Sequence, residues 1–343
     1  MKNGSSLFGK LIGGALLAGA GATIGRFALQ NVTQQLFDYA VPRKIKYGKL
    51  THALMDKNMV VSPEKQAYQD KLDAGKDWFF AQDREKVEIH SYDGLTLRGS
   101  YLPAEQDAGK RILLMMHGFR ASTLFDLGCM FQFGHELGYD LMVPFERAHG
   151  ESDGEYISYG VKERFDVQNW CRYLTQRFGE DCEIVLFGVS MGAATVLMST
   201  GLNLPKSVKG VIADCGFTSP MEEFRHIFED GGVPSFLQKL LLRSTEKMCR
   251  TEAGFAFDEY STFVAMKTNQ LPIFFIHGTA DTFVPTIMSV ENYEACKTYK
   301  KLWLVEGAEH ACSSAVATEA YHQNVIEFLR EIGLYAGPGK EDK

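Results

Sequence analysis

The sequence predicts an α/β protein: a mostly parallel, doubly wound sheet opened by an N-terminal antiparallel hairpin and interrupted by a helical cap insertion. Three observations predict it. Six short apolar runs, at 112–116, 141–144, 184–187, 211–213, 273–276 and 302–305, have the unbroken hydrophobicity of strands buried on both faces. Helical patterns at 161–178, 193–202, 287–298 and 320–332 fall between them, the alternation that builds a parallel sheet. Ahead of these, period-two stretches at 87–90 and 96–99 flank Tyr92-Asp93-Gly94, whose Asp-Gly step favours a tight hairpin turn.

In chain order, residues 1–30 form a Gly-rich apolar leader. Lys2 and Lys10 precede an uncharged run at 11–25, the pattern of a weak membrane anchor or a signal segment, although the run falls short of the roughly 20 residues that span a bilayer. Arg26, Arg43, Lys44, Lys46 and Lys49 follow it, so an inserted leader would keep the rest of the chain on the cytoplasmic side. The expected location is therefore cytoplasmic, with weak membrane association through this segment; export is the less favoured reading. Residues 31–84 read as a helical extension, with Ser62-Pro63 as a helix start and Tyr68, Leu72, Trp78 and Phe79 after it. The α/β core occupies 85–217 and 271–335. Between its two parts, 218–270 is too long for a loop in a compact domain and carries helical patterns around Phe224, Phe228, Phe236 and Leu240. It reads as a helical cap over the C-terminal ends of the strands, where open α/β sheets bind ligands. Residues 336–343 are a polar tail.

Composition narrows the function classes. The chain has 343 residues, 45% of them hydrophobic, enough for a sizeable core. A formal net charge of −7, without a basic stripe, argues against a nucleic-acid partner. Seven scattered cysteines without a CxxC pair read as reduced thiols, and no metal or cofactor is expected from them. A phosphate-cradling GxxxxGK[ST] loop is missing as well. Oligomeric state is not written in the sequence.

Gly188-Val189-Ser190-Met191-Gly192 has the form of a nucleophile elbow, where small neighbours permit a strand-to-helix turn too tight for side chains. Gly150-Glu151-Ser152-Asp153-Gly154 satisfies the same pattern, but only Ser190 follows an apolar strand and opens a helix. Ser152 is expected in a polar turn. A serine hydroxyl needs a base to take its proton, and of the nine histidines His310 lies just past the last strand, where the chain order serine, acid, histidine puts it. Asp281, after the preceding strand, is the expected acid, with Asp214 in reserve. Backbone N–H groups of Met191, after the nucleophile, and Phe119, after His117-Gly118, are the expected oxyanion donors. Arg120, toward an anionic group, and Phe217 and Phe224, toward an acyl chain, are candidates for a substrate pocket; the plainer readings are a solvated surface arginine and a small apolar core of the cap.

Over roughly 86–334 the chain resembles the α/β-hydrolase superfamily and, more narrowly, the bacterial YqkD-like and serine aminopeptidase-like hydrolases. The motifs are His117-Gly118-Phe119, Arg147-Ala148-His149-Gly150-Glu151-Ser152, the Ser190 pentapeptide, His277-Gly278-Thr279-Ala280-Asp281 with Val284-Pro285, and Gly307-Ala308-Glu309-His310. The resemblance implies a serine carboxylesterase acting on a small-molecule ester through an acyl-enzyme, without a cofactor. Thioesterase, amidase or peptidase, and acyltransferase activities would use the same residues. A non-catalytic partner-binding or membrane-associated protein of the same fold is the alternative from another class.

Overall fold

The computed structural model describes residues 22–46, 63–107 and 109–335. Most of the leader and the whole 336–343 tail lie outside the described residues, and with them the anchor or signal reading of residues 1–21. Among the described residues no helix is long and apolar enough to cross a membrane.

Eight strands form one sheet: β1 (Glu85–His90), β2 (Thr96–Leu102), β3 (Arg111–Met116), β4 (Asp140–Pro144), β5 (Glu183–Val189), β6 (Val208–Asp214), β7 (Ile273–Gly278) and β8 (Lys300–Val305). Their order is β1-β2-β4-β3-β5-β6-β7-β8. The hairpin β1–β2 is antiparallel and joins the sheet through an antiparallel β2–β4 pair, whereas every pair from β4 to β8 is parallel. The central strands are buried along almost their whole length, which is why they appear in the sequence as continuous apolar runs. Alternate side chains of each strand feed two separate cores. Leu113, Met115, Val185, Phe187, Ile212, Phe274 and Ile276 pack on one face, and Ile112, Leu114, Ile184, Leu186, Val211 and Phe275 on the other.

Helices cover both faces. Helix α1 (Ala22–Ala40) runs from the end of the leader into the extension, which also contributes α2 (Pro63–Ala81); the core contributes α3 (Gly128–Glu136), α4 (Glu163–Phe178) and α5 (Met191–Ser199). Between β6 and β7 lie α6 (Pro220–Asp230), α7 (Ser235–Met248), a π-helical turn at Cys249–Ala253 and α8 (Thr262–Met266). Helix α9 (Thr286–Ala295), the single turn α10 (Ser313–Val316) and α11 (Thr318–Glu331) complete the chain. Ser219 opens α6 by accepting the Glu222 N–H at 3.1 Å, with Pro220 at the first helical position. Val32 and Leu36 of α1 share an apolar cluster with Phe228, Leu237 and Leu241, so the N-terminal helix rests on α6 and α7.

Helix α3 is the element that the sequence patterns do not announce. Gly128 and Gly134 depress its propensity by about 1 kcal/mol each, yet Gly128 is what allows α2 to approach: a Cβ there would lie 1.9 Å from the Leu72 carbonyl oxygen, and one on Gly75 would lie 2.1 Å from that of Gly128. Close helix contact has overridden local preference.

Candidate active site

The turn between β5 and α5 is as tight as its sequence requires. Ser190 adopts φ 55° and ψ −116°, a backbone state that costs a non-glycine residue about 1–3 kcal/mol. The glycines around it make the turn sterically feasible: a Cβ on Gly188 would meet Gly192 at 2.4 Å, and one on Gly192 would meet the Met116 carbonyl oxygen at 2.1 Å. The Ser190 N–H donates to the Asp214 carbonyl at 2.9 Å, which ties the elbow to β6.

The loops after β7 and β8 meet in front of Ser190. Gly278 permits this, since a Cβ there would lie 2.1 Å from the Ala308 carbonyl oxygen; Thr279 N–H donates to Val305 O at 2.9 Å and Ala280 N–H to Ala308 O at 3.0 Å. His310 Nε2 lies 2.8 Å from Ser190 Oγ, and His310 Nδ1 lies 2.7 Å from Asp281 Oδ2. The carboxylate can only accept, so the proton on His310 is at Nδ1 and Nε2 is left to accept from the serine hydroxyl.

Asp281 is held from every side. Its Oδ1 accepts the N–H groups of Phe283 at 2.9 Å and Val284 at 3.0 Å, the Asx turn that caps the approach to α9. Its Oδ2 accepts from His310 and also from His277 Nε2 at 3.1 Å. Nε2 of His277 faces a second acceptor, the Val284 carbonyl at 3.0 Å, so it carries the proton, and Nδ1 bonds the Ser289 hydroxyl at 2.7 Å. Burial opposes the charge on Asp281, but hydrogen bonds from His277 and His310 outweigh it and hold the carboxyl well below the usual carboxylate range. The reserve acid Asp214 is committed elsewhere, accepting from Ser313 Oγ and Tyr321 OH, each at 3.0 Å.

On the other side of Ser190 stands the turn after β3. A Cβ on Gly118 would lie 3.4 Å from Ser190 Cβ. Gly118 N–H donates to Asp126 Oδ2 at 2.5 Å, Arg120 N–H to His149 Nε2 at 3.0 Å, and Ala121 N–H back to Gly118 O at 3.1 Å. Among the described residues the Phe119 N–H is left without a partner in this turn. Met191 N–H is likewise left, as the first N–H of a helix, which has no carbonyl one turn earlier.

The other predicted residues are placed differently. Arg120 directs its guanidinium onto the main-chain carbonyls of Tyr39, Pro42 and Arg43 at 2.8, 2.7 and 2.9 Å, so it is engaged with the protein backbone and not turned toward an anionic substrate. Phe217 is buried in a cluster that includes Met191, Val284 and Met288, with Phe119 and Phe224 packed against it. Phe224 stacks on Phe257 at 4.5 Å and meets Tyr159 edge-on at 5.1 Å, and Tyr159 stacks on Phe119 at 5.2 Å. Ser152 is buried, with its hydroxyl donating to Phe145 O at 2.6 Å and accepting Arg98 N–H at 2.8 Å. His277 and His149 fall within motifs of the resemblance, but nothing in a His-Gly pair signals that they hold the acid and the turn, and nothing in the sequence marks Asp126.

Cys215 Sγ, Asp281 and His310 bring ligand-type atoms within 4.8 Å of one another. Both imidazole nitrogens are in the hydrogen bonds above, and burial raises the Cys215 thiol well above its ordinary value, so the group offers a cation no thiolate and no uncommitted nitrogen.

No family profile matches the chain. It is 28% identical over 263 residues to the uncharacterized protein YqkD of Bacillus subtilis, covering 76% of this chain and 84% of that one. It is 24% identical over 253 residues to the uncharacterized protein YfhR of Escherichia coli, covering 71% and 80%. Among solved structures it is similar to the Pyrococcus furiosus esterase Pf2001, with TM-score 0.60 and 23% identity over 74% of this chain and 93% of that one. It is also similar to the α/β-hydrolase GrgF from Penicillium, with TM-score 0.53 and 21% identity over 73% and 99%. Pyrococcus horikoshii acylaminoacyl peptidase matches with TM-score 0.55 and 14% identity over 78% of this chain and 44% of that one.

Proposed function

We propose that this chain, whose fold is that of the α/β-hydrolases, is a serine hydrolase that cleaves carboxylic esters through an acyl-enzyme. The observation that carries the reading is the pair of hydrogen bonds from Ser190 through His310 to Asp281, opposite two main-chain N–H groups with no partner among the described residues. The esterase among its structural neighbours supports the same reaction class.

In this reading Ser190 Oγ attacks the ester carbonyl carbon while His310 Nε2 takes the hydroxyl proton. The carbonyl oxygen, now negative, receives the N–H groups of Phe119 and Met191. His310 then gives its proton to the departing alkoxide, which leaves as the alcohol, and the acyl group stays on Oγ. Water repeats the sequence: His310 takes its proton, the hydroxide adds to the acyl carbon, and the proton returns to Oγ as the acid leaves. Asp281 stays ionised throughout and keeps the imidazole proton on Nδ1.

The test is hydrolysis of p-nitrophenyl acyl esters from acetate to laurate by the wild type and Ser190→Ala. Turnover by the wild type and a loss of at least roughly 10³-fold in the variant is expected. Equal rates for the two proteins would contradict the assignment.

A further inference from the structure

We infer that the N-terminal helix α1 belongs to the catalytic apparatus, because Arg120, clamped to the end of that helix, positions the Phe119 N–H as an oxyanion donor; this rests on the serine-hydrolase reading above.

Arg120 stands in the left-handed region at φ 57°, so its turn is held by tertiary contacts and not by local preference. Its guanidinium collects the carbonyls of Tyr39, Pro42 and Arg43, in and just beyond the last turn of α1. The final carbonyls of a helix lack intrahelical donors and form the negative end of its dipole, so a cation there fulfils two needs of α1 at once. The same clamp fixes the residue that follows Phe119, and the N–H of Phe119 itself has no partner among the described residues.

Two more links join the end of α1 to the same peptide. Tyr159 donates its hydroxyl to the Ala40 carbonyl at 2.7 Å while its ring stacks on Phe119. The Arg43 guanidinium donates to the carbonyls of Ser152, at 2.6 Å, and Gly150, and so braces the turn carrying His149, the acceptor for the Arg120 N–H. The Gly118–Phe119 amide itself is held at its carbonyl by the Ala121 N–H at 3.1 Å and the His117 Nδ1–H at 2.8 Å; three further links hold Phe119 from its side chain, from its C-terminal neighbour's guanidinium and from that neighbour's main chain. All three links end on residues 39–43 or on the turn those residues brace. Arg120 is a positioning residue, since its guanidinium touches backbone and not the reacting atoms.

The experiment compares the wild type, Arg120→Met, Arg120→Lys and Tyr159→Phe in full-length protein, by steady-state kinetics on a p-nitrophenyl ester and by hydrogen exchange of the peptide spanning 117–124. Arg120→Met is expected to lower kcat at least tenfold with KM changed less than twofold, and to speed exchange in that peptide. Arg120→Lys, with one ammonium in place of a fork, should recover part of kcat, and Tyr159→Phe should lower kcat less than Arg120→Met. Free methylguanidinium should restore part of the activity of Arg120→Met, which a merely destabilised fold would not show. Exchange in 117–124 unchanged in both Arg120→Met and Tyr159→Phe, or a kcat that stays at the wild-type value in Arg120→Met, would overturn the inference. Should the wild type hydrolyse no ester while exchange still quickens in the variants, the clamp stands and the hydrolase reading fails. If Arg120→Met does not fold, Tyr159→Phe, which removes a single hydroxyl, decides by the same two readouts.

Discussion

Asp281 receives four hydrogen bonds, two from the main chain and two from histidines, and its ionised state is therefore overdetermined. Replacing it with Asn would put an amide N–H against donors and favour the wrong tautomer of His310. Asp281→Asn is expected to lower kcat by roughly 10³- to 10⁴-fold and also to lower the melting temperature, because the fold holds the ionised carboxylate that Asn lacks, checked by ester turnover and thermal denaturation. Asp126 behaves in the opposite sense. Burial, against the help of the Gly118, Asp126 and Leu127 N–H groups, pushes its carboxyl up to about 7. A folded-state value above the unfolded one contributes stability that is complete below the unfolded pKa and lost as pH rises through the folded value. Wild type should therefore gain stability relative to Asp126→Asn between pH 8 and pH 5, on the order of 2 kcal/mol by urea denaturation; a constant difference across that range would contradict it. At this scale Ser190, His310 and Asp281 stand out in the sequence because the elbow pentapeptide and the positions after β7 and β8 give each a local mark. His277, His149 and Arg120 are noticed in the sequence but not for the roles they take, and Asp126 carries no mark at all. Their roles come from what surrounds them once the chain has folded.

The central strands were legible as elements because burial on both faces leaves their middles apolar: β3, β5 and β7 each extend only slightly beyond their apolar runs. Helix α3 was not, because the glycine that makes it possible in space weakens it in sequence. The contact of Gly128 with Leu72 predicts that Gly128→Ala lowers stability by about 1–3 kcal/mol and loosens α2, seen as a lower melting temperature and faster proteolysis within 63–81. An unaltered melting temperature would show that the helices can separate at no cost. Gly192→Ala meets the Met116 carbonyl instead, at the elbow itself, and is expected to abolish ester turnover even where the variant retains a cooperative melt. The insertion between β6 and β7 was readable as helical from its length and apolar spacing. Its π-helical turn at Cys249–Ala253 was not, since a register change of one residue leaves no periodic trace.

For the molecule as a whole, strand order decides which residues meet at the candidate site. The sequence's alternation of strands and helices predicted a parallel sheet, but the order β3-β5-β6-β7-β8 is what places the loops after β3, β5, β7 and β8 around one point and lets residues as distant as Phe119, Ser190, Asp281 and His310 share it. Helix α1 adds a part that the elbow motifs do not contain. It packs on α6 and α7 through Val32 and Leu36 and its end is bonded to Arg120, in the turn after β3, so the insertion between β6 and β7, the extension and that turn form one connected structure. An activated serine is the property on which all of this depends, and a fluorophosphonate probe reports it without knowledge of the substrate. Intact mass after labelling, with the modified peptide sequenced, should show one adduct on Ser190 in the wild type, labelling slowed by orders of magnitude in His310→Ala, and none in Ser190→Ala. A wild type that remains unlabelled, or an adduct on another residue, would contradict the account.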